Sequence, residues 1–584
     1  MTNNSSLSEL RLALIDLKAA WMPALALSWC ISFLGFAPAI YMLQVYERVV
    51  NSRDVQTLLM LTIVVLGAYA LMELLDKLRK KLFWALGAQF EMKLSDRVYS
   101  AMFEGLRRQQ GGIAQMAQSD MRVIREFFYN PAVGALMELP VGLVSIGLIF
   151  AINPLLGWAS IIGVLAQTFF AWLLQRSSAA PLREAQLGSQ EAQSYAEASL
   201  RNAEVMESMG MMPAVMAQWQ KKQRAFLIKQ ANASESAGGF NAATKTLQQL
   251  FGSLLMGVSA WLLLGGELSG GGAMLIISGI LGGRLLAPIT QIVQQWRAFV
   301  SLASAWERLT YLLKTVPAVA SQMALAAPKG HLTVESLVAA PPGQPQTVLR
   351  GLQFTVPAGQ ALVVVGPSGS GKTSLAKLLL GIWSAQMGKV RLDGADIQTW
   401  NKAELGPHLG YLPQDVELLD GSMAENIGRF GLVDLSRVEE AARLVGLHDF
   451  IVSLPSGYDT PVGRDGGLLS GGQRQRVALA RAVYGNPVFV VLDEPNSSLD
   501  EVGDAALMHT ISTLKARGTT FVINSHRTSV FPVADLMLVL KDGSQHLFGP
   551  TADVLQKLFP TNNPPTQPIA GAPGAALLTR EEGA

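Results

Sequence analysis

The sequence predicts two units of different class: an all-α domain of six membrane-spanning helices, followed by a soluble α/β domain. Three observations predict this. Six long apolar stretches crowd the first half of the 584 residues. At 316–330 a Pro-, Ala- and Lys-containing linker ends that pattern, and beyond it short β-branched runs alternate with helical ones, as in an α/β unit. There a glycine-rich loop joins an apolar strand to a helix.

Composition agrees. Half the residues are hydrophobic and only 15% are charged, with a mean hydropathy of +0.29, against about 25% charged in an ordinary globular chain. A disordered or fibrous chain is excluded. A net charge of +2 lacks the concentrated basic face of a nucleic-acid binder, so no nucleic-acid partner is expected. The single cysteine, Cys30, allows no internal disulfide and no cysteine metal cluster.

The spans come in order. Ala19–Leu43 is 25 residues without a charge and Val55–Met72 is 18. Leu139–Ile152 is long enough if Glu138 sits at its end. Leu155–Gln175, Thr246–Gly266 and Leu268–Gly283 follow, the last continuing past Arg284. A spanning helix needs about 20 apolar residues. Ala24-Leu25-Ala26 resembles a signal-peptide cleavage site, but the apolar run continues 17 residues beyond it, too far for a signal sequence.

Lys and Arg give the orientation. Ten lie in Asp76–Pro131 and eight in Arg176–Lys245, whereas the Asn153-Pro154 and Glu267 turns carry none. Basic residues near span ends stay cytoplasmic. The short N-terminus (1–18), both long connections and the C-terminal half are therefore expected in the cytoplasm.

Leu74–Leu106 and Gln186–Ala231 show apolar residues three and four apart, so the helices are expected to run on into the cytoplasm. Ionisable groups in spans face a partner helix, a cavity or the interface. Glu138 reads as an interfacial residue; Arg284 reads equally as interfacial or cavity-facing. Pro288 is expected to loosen the sixth helix. The methionines 206, 209, 211, 212 and 216 read as helix packing or as an adaptable contact surface.

The chemistry lies in the second unit. Strand Leu362–Val365 leads into Gly366-Pro367-Ser368-Gly369-Ser370-Gly371-Lys372-Thr373, with Ser374 next. This G-x-x-x-x-G-K-[ST] run wraps phosphates in backbone N–H groups at a helix N-terminus. Lys372 reaches the β/γ-phosphates and Thr373 offers its hydroxyl to Mg²⁺. ATP and Mg²⁺ are thus the expected cofactors. A second strand, Val488–Leu492, ends in Asp493-Glu494, placed to hold the metal and to polarise the attacking water. A third, Thr520–Ile523, ends near His526, which is expected to reach the γ-phosphate.

Between them, Leu469-Ser470-Gly471-Gly472-Gln473 opens another helix with a phosphate-facing N-terminus. One nucleotide cannot need two such cradles from one chain. The physical solution is a head-to-tail homodimer, each ATP held by the loop of one copy and Ser470–Gln473 of the other.

These runs, with Gln414 in Tyr-Leu-Pro-Gln-Asp and Ser498-Leu499-Asp500, occur in the order of the ABC ATPases. The resemblance implies that Gln414 senses Mg²⁺ and the membrane domain, that Asp500 is the D-loop residue and that His526 is the switch histidine. Six spans ahead of one such domain resemble a type 1 ABC exporter half-transporter. The implied domains are 19–315 (membrane) and 331–560 (nucleotide-binding); the tail at 561–584, rich in Pro, Ala and Gly, reads as disordered.

The runs Pro38–Val49, Thr57–Thr62, Asn202–Gly210, Gly410–Gly421 and Asp493–Asp500 are similar to type I secretion transporters of the PrtD type, which export RTX-type proteases, lipases and haem-binding proteins. The resemblance implies ATP-driven export of an unfolded polypeptide bearing a C-terminal signal. It also implies an inner-membrane location and two partners, a periplasmic membrane fusion protein and a TolC-like outer-membrane channel. The alternative is an exporter of lipid, drug or small peptide. With about 20 residues before the first span, no leader-peptide cleavage is expected.

Two positions depart from the family pattern. Ala339-Ala340-Pro341-Pro342 stands where an aromatic usually stacks on adenine, and the nearest upstream aromatic is Tyr311. Gly463-Arg464-Asp465-Gly466 lacks the usual glutamate before the signature, for which Asp465 could substitute.

Overall fold

A computed structural model describes residues 8–107, 111–268, 272–317, 325–344, 346–463 and 466–559. Asp465, the tail and part of the linker lie outside the described residues. The chain divides into compact units at Met1–Ala318 and Val319–Ala584.

The described part of the first unit is helical throughout: α1 (Glu9–Asp16), α2 (Lys18–Leu34), α3 (Ala37–Gln44), α4 (Val55–Arg107), α5 (Gly111–Phe128), α6 (Pro131–Ile152), α7 (Pro154–Arg201), α8 (Ala203–Ser208), α9 (Met212–Leu264), α10 (Ala273–Gln294) and α11 (Trp296–Thr315). Six of its segments are long and apolar enough to cross a bilayer. Helix α4, with 53 residues, extends about 80 Å at 1.5 Å per residue, far beyond the hydrocarbon thickness of about 30 Å. Its first turns carry exposed apolar groups such as Val64 and Leu66, as lipid contact requires.

The first span is broken. Phe36 N–H bonds Phe33 O rather than Ser32 O, separating α2 from α3 and freeing the Ser32 carbonyl. Arg284 Nη1 of α10 donates to that oxygen at 3.3 Å, and its guanidinium lies 5.8 Å from the Phe36 ring centre. Glu138 is tied more tightly. It accepts from Arg79 of α4 at 2.6 Å, and Arg79 also holds Asp76 at 2.6 Å. Glu138 and Arg284 line one cavity of about 160 Å³. Pro288 stays inside a continuous, buried α10.

Over Gln186–Ala231 the chain is helical, as expected, and α7 and α9 both run on beyond their spans, with a reversal between them. Helix α7 ends at Arg201, α8 is a single short piece, and the chain turns at Gly210 before α9. Met206 is buried at this tip, whereas Met209, Met211, Met212 and Met216 are exposed.

Two apolar cores hold the unit. One gathers Leu10, Phe83, Phe90, Ile124 and Leu312 from α1, α4, α5 and α11. The other joins Ala39, Ile149, Leu255 and Leu285 from α3, α6, α9 and α10. Asp120 of α5, 2% exposed, takes both arms of Arg308 of α11 at 3.0 and 2.5 Å. Arg97 of α4 joins Glu9 to the carbonyls of Leu313 and Val316 where α11 ends.

The second unit holds β1 (Leu332–Ala339), β2 (Leu349–Val356), β3 (Ala361–Val365), α12 (Lys372–Leu379), β4 (Met387–Leu392), β5 (Ala395–Asp396), α13 (Lys402–Leu405), β6 (Leu409–Leu412), α14 (Met423–Ile427), α15 (Leu435–Leu444), α16 (His448–Ser453), α17 (Gly471–Val483), β7 (Phe489–Asp493), α18 (Glu501–Ala516), β8 (Thr520–Asn524), β9 (Leu536–Lys541), β10 (Ser544–Pro550) and α19 (Thr551–Leu558). Six strands form one sheet in the order β10-β9-β3-β8-β7-β6, parallel except for β10. Both faces are covered, so its central strands are unbroken apolar runs. Val363, Ile523 and Leu492 face one core; Val364, Val522 and Val491 face the other. A separate antiparallel sheet, β2-β1-β4-β5, covers the second face.

Candidate functional site

The site forms at the C-terminal ends of β3, β7 and β8, adjacent strands of the parallel sheet. Ligands of open α/β sheets bind at this edge because loops there meet helix N-termini.

After β3 the chain enters the loop Gly366–Gly371 and then α12. Gly371 is the N-cap of α12 at φ 98°, a left-handed conformation that favours glycine. A Cβ at this position would lie 2.5 Å from Leu349 Cδ2, so the position excludes side chains twice over. Lys372 is 7% exposed. Its ammonium donates to Gly366 O at 2.8 Å and Pro367 O at 3.0 Å, centring the charge in the loop. Burial pushes its pKa below the ordinary lysine range, while the charges of Glu494 and Asp493 oppose the shift. Thr373 and Ser374 occupy the first turn of α12, both half-buried.

Strand β7 delivers Asp493, 1% exposed, and Glu494 follows at φ 52°, an uncommon conformation for a non-glycine residue that aims the carboxylate out of the strand. Gln414, in the segment after β6, donates to Glu494 Oε2 at 3.2 Å. His526, just past β8, places Nε2 3.7 Å from Glu494 Oε1. Two residues singled out on separate stretches of sequence, Gln414 and His526, therefore converge on the carboxylate of a third, Glu494. Tyr411 of β6 stands near Asp493; burial, with that negative charge, pushes its phenol up to about 12, so it stays neutral.

The donor set suits a divalent cation. Asp493 Oδ2 and the Ser370 hydroxyl are buried without a hydrogen-bond partner, and buried polar atoms rarely stay unpaired. Thr373, Gln414 and Asp493 supply the hard oxygen ligands that Mg²⁺ prefers.

Ser470 caps α17. Its hydroxyl accepts from Gln473 N at 3.3 Å, and Gln473 Oε1 accepts from Ser470 N at 2.9 Å, a reciprocal capping box. Ser470 and Gly471 are exposed, and Gly472 packs against Ser498. Among the described residues no hydrogen bond or ion pair joins Ser470–Gln473 to Gly366–Ser374. The two cradles are not brought together within this chain. Asp500 caps α18, accepting from Gly503 N at 2.8 Å.

Where an adenine-stacking aromatic was sought, Ala339 and Ala340 are buried and Pro341 closes a turn with Gln344. Tyr311 lies on α11 of the first unit. Val348 and Leu349 line the approach to Gly371.

Two residues escaped the sequence reading. Gln475, 3% exposed, donates to Pro495 O at 2.5 Å and accepts from Ser498 N at 2.8 Å, fixing the backbone around Glu494. Asn524 is fully buried between Lys372 and Asp493. Neither stands in a spaced pattern: Asn524 is marked only by its polarity at the end of an apolar strand, and Gln475 sits among polar neighbours that hide it.

Comparison with known proteins follows the same division. Residues 22–285 match the ABC transporter transmembrane region family and 349–497 match the ABC transporter family. The chain is 37% identical over 549 residues to the type I secretion system ATP-binding protein PrsD of Rhizobium meliloti (strain 1021), covering 94% of each. It is 26% identical to the leukotoxin translocation ATP-binding protein LktB of Mannheimia haemolytica, over 91% of this chain and 75% of LktB. Its fold matches that of a bacterial Atm1-family ABC exporter with ATP bound, at TM-score 0.82 and 24% identity, covering 93% of this chain and 97% of the other. By these matches the chain belongs to the ABC transporters and, among them, to the type I secretion ATP-binding proteins: a multi-span inner-membrane protein whose ATPase domain couples ATP hydrolysis to transport.

Proposed function

We propose that this chain exports an unfolded polypeptide as the ABC component of a type I secretion system, working as a homodimer with ATP and Mg²⁺ at composite sites. The observation that carries the reading is the placement of Glu494 between Gln414 and His526, beside Asp493 and Lys372. Backbone N–H groups of Gly366, Ser368, Gly369, Ser370 and Gly371 cradle the phosphates, Pro367 shapes the loop without donating, and Lys372 neutralises the phosphates. Glu494 polarises the water that attacks the γ-phosphorus, and His526 holds a γ-oxygen. Thr373, Gln414 and Asp493 hold Mg²⁺, which when bound offsets charge on the phosphates. Exposed Ser470 and Gly471, with half-buried Gly472 and Gln473, of a second copy complete the cradle.

The likeness to PrsD along nearly the whole chain supports protein cargo over lipid, drug or small peptide. The type I reading brings a periplasmic membrane fusion protein and a TolC-like channel as partners, and a protease or lipase with a C-terminal signal as cargo. The test is secretion of such a protein by cells holding this chain, the adaptor and the channel. Export that stops with Lys372→Ala supports the reading. Undiminished export in that variant, or none with the native chain, contradicts it.

A further inference from the structure

We propose that Asn524 is a positioning residue that aims Asp493 at the divalent cation of the nucleotide; the inference rests on the ATP-site reading above. Asn524 ends β8, which lies between β3 and β7 in the sheet, and is fully buried. Its single amide spends both hydrogens across two motifs. Nδ2 donates to Asp493 Oδ1 at 2.8 Å and to the carbonyl of Lys372 at 3.0 Å. Its backbone carbonyl oxygen accepts from Glu494 N at 2.9 Å, while its side-chain Oδ1 is buried without a hydrogen-bond partner.

A carboxylate anchored through one oxygen no longer rotates freely about its last bond, so the position of the other oxygen is fixed. That other oxygen, Asp493 Oδ2, is buried and without a protein partner. The residue type follows from the task. A cation in place of Asn524 would neutralise Asp493 and compete with the metal. A hydroxyl has one hydrogen and cannot serve both acceptors. An aliphatic side chain would strand Asp493 Oδ1 without its donor. The amide alone orients the carboxylate, keeps its charge and joins it to the first turn of α12. Side chains that orient metal ligands in this way are typically worth about 10–100-fold in metal affinity.

The experiment measures binding of a fluorescent ATP analogue to the full-length protein in nanodiscs, first in EDTA and then across Mg²⁺ and Mn²⁺ titrations. Asn524→Leu is expected to need about 10-fold or more Mg²⁺ for the same occupancy, with the EDTA affinity within about twofold of wild type. Asn524→Thr, smaller and still able to donate one hydrogen, is measured alongside in case the leucine variant does not fold; it is expected to shift the Mg²⁺ requirement in the same direction. An unchanged cation requirement in the folded variants overturns the proposal. Equal losses with and without cation also overturn it, because they mark a structural role only. Lys372→Ala and Asp493→Asn separate the two failures. If they too bind as wild type, the ATP-site reading itself has failed; if they alone lose binding or its cation dependence, only the role of Asn524 is refuted.

Discussion

Gln414 donates a hydrogen bond of 3.2 Å to Glu494 although 80 residues separate them in sequence. With His526 Nε2 3.7 Å from the other carboxylate oxygen, Glu494 is held from two sides. The carboxylate is therefore fixed by the protein's own contacts, and its backbone at φ 52° is part of that placement.

Glu494→Gln keeps the shape but removes the charge proposed to polarise water. ATP hydrolysis should fall at least about 100-fold, in the range of lost general-base catalysis, with ATP affinity retained. Paired phosphate-release and nucleotide-binding assays check this; near-normal turnover would remove Glu494 from its role.

Gly371→Val tests the loop geometry. The position combines φ 98° with a Leu349 methyl in the Cβ direction. Strain of about 1–3 kcal/mol is expected from the backbone alone, so nucleotide binding should be lost while the first unit stays folded. Binding titrations and limited proteolysis read the two effects separately.

Asp120→Ala leaves the Arg308 guanidinium half-buried without its bidentate acceptor. Breaking a buried pair by removing one member costs about 3–5 kcal/mol, here toward the low end because Arg308 keeps 22% exposure. A lower melting temperature of the detergent-solubilised protein, with unchanged ATP affinity, is the expected result.

Much of this was legible in the chain because the physics is local. The six spans follow from apolar length, and β3, β7 and β8 each fall within a residue of the expected strands because a doubly covered parallel strand must be apolar throughout. The reversal at Gly210 was not placed because apolar residues three and four apart occur on both sides of it, although Gly210 and Pro213 punctuate the run. The antiparallel sheet was not read because β1 is interrupted by bulges and by Ser336 at φ 41°. Arg284 and Glu138 were visible as charges, but their partners Ser32 and Arg79 lie far away in sequence and only the folded helices bring them together. Asn524 and Gln475 are defined by what they touch, which no spacing encodes.

The central claim is that one nucleotide is shared by two copies, because Gly366–Ser374 and Ser470–Gln473 are not joined within one. In a Cys30→Ser background, Ser368→Cys and Ser470→Cys placed on the same chain test it directly, with Glu494→Gln added to hold ATP. Oxidation with ATP and Mg²⁺ should give a product of twice the chain mass on a denaturing gel, and far less without ATP. A cross-link confined to single chains, or one indifferent to ATP, would contradict the account.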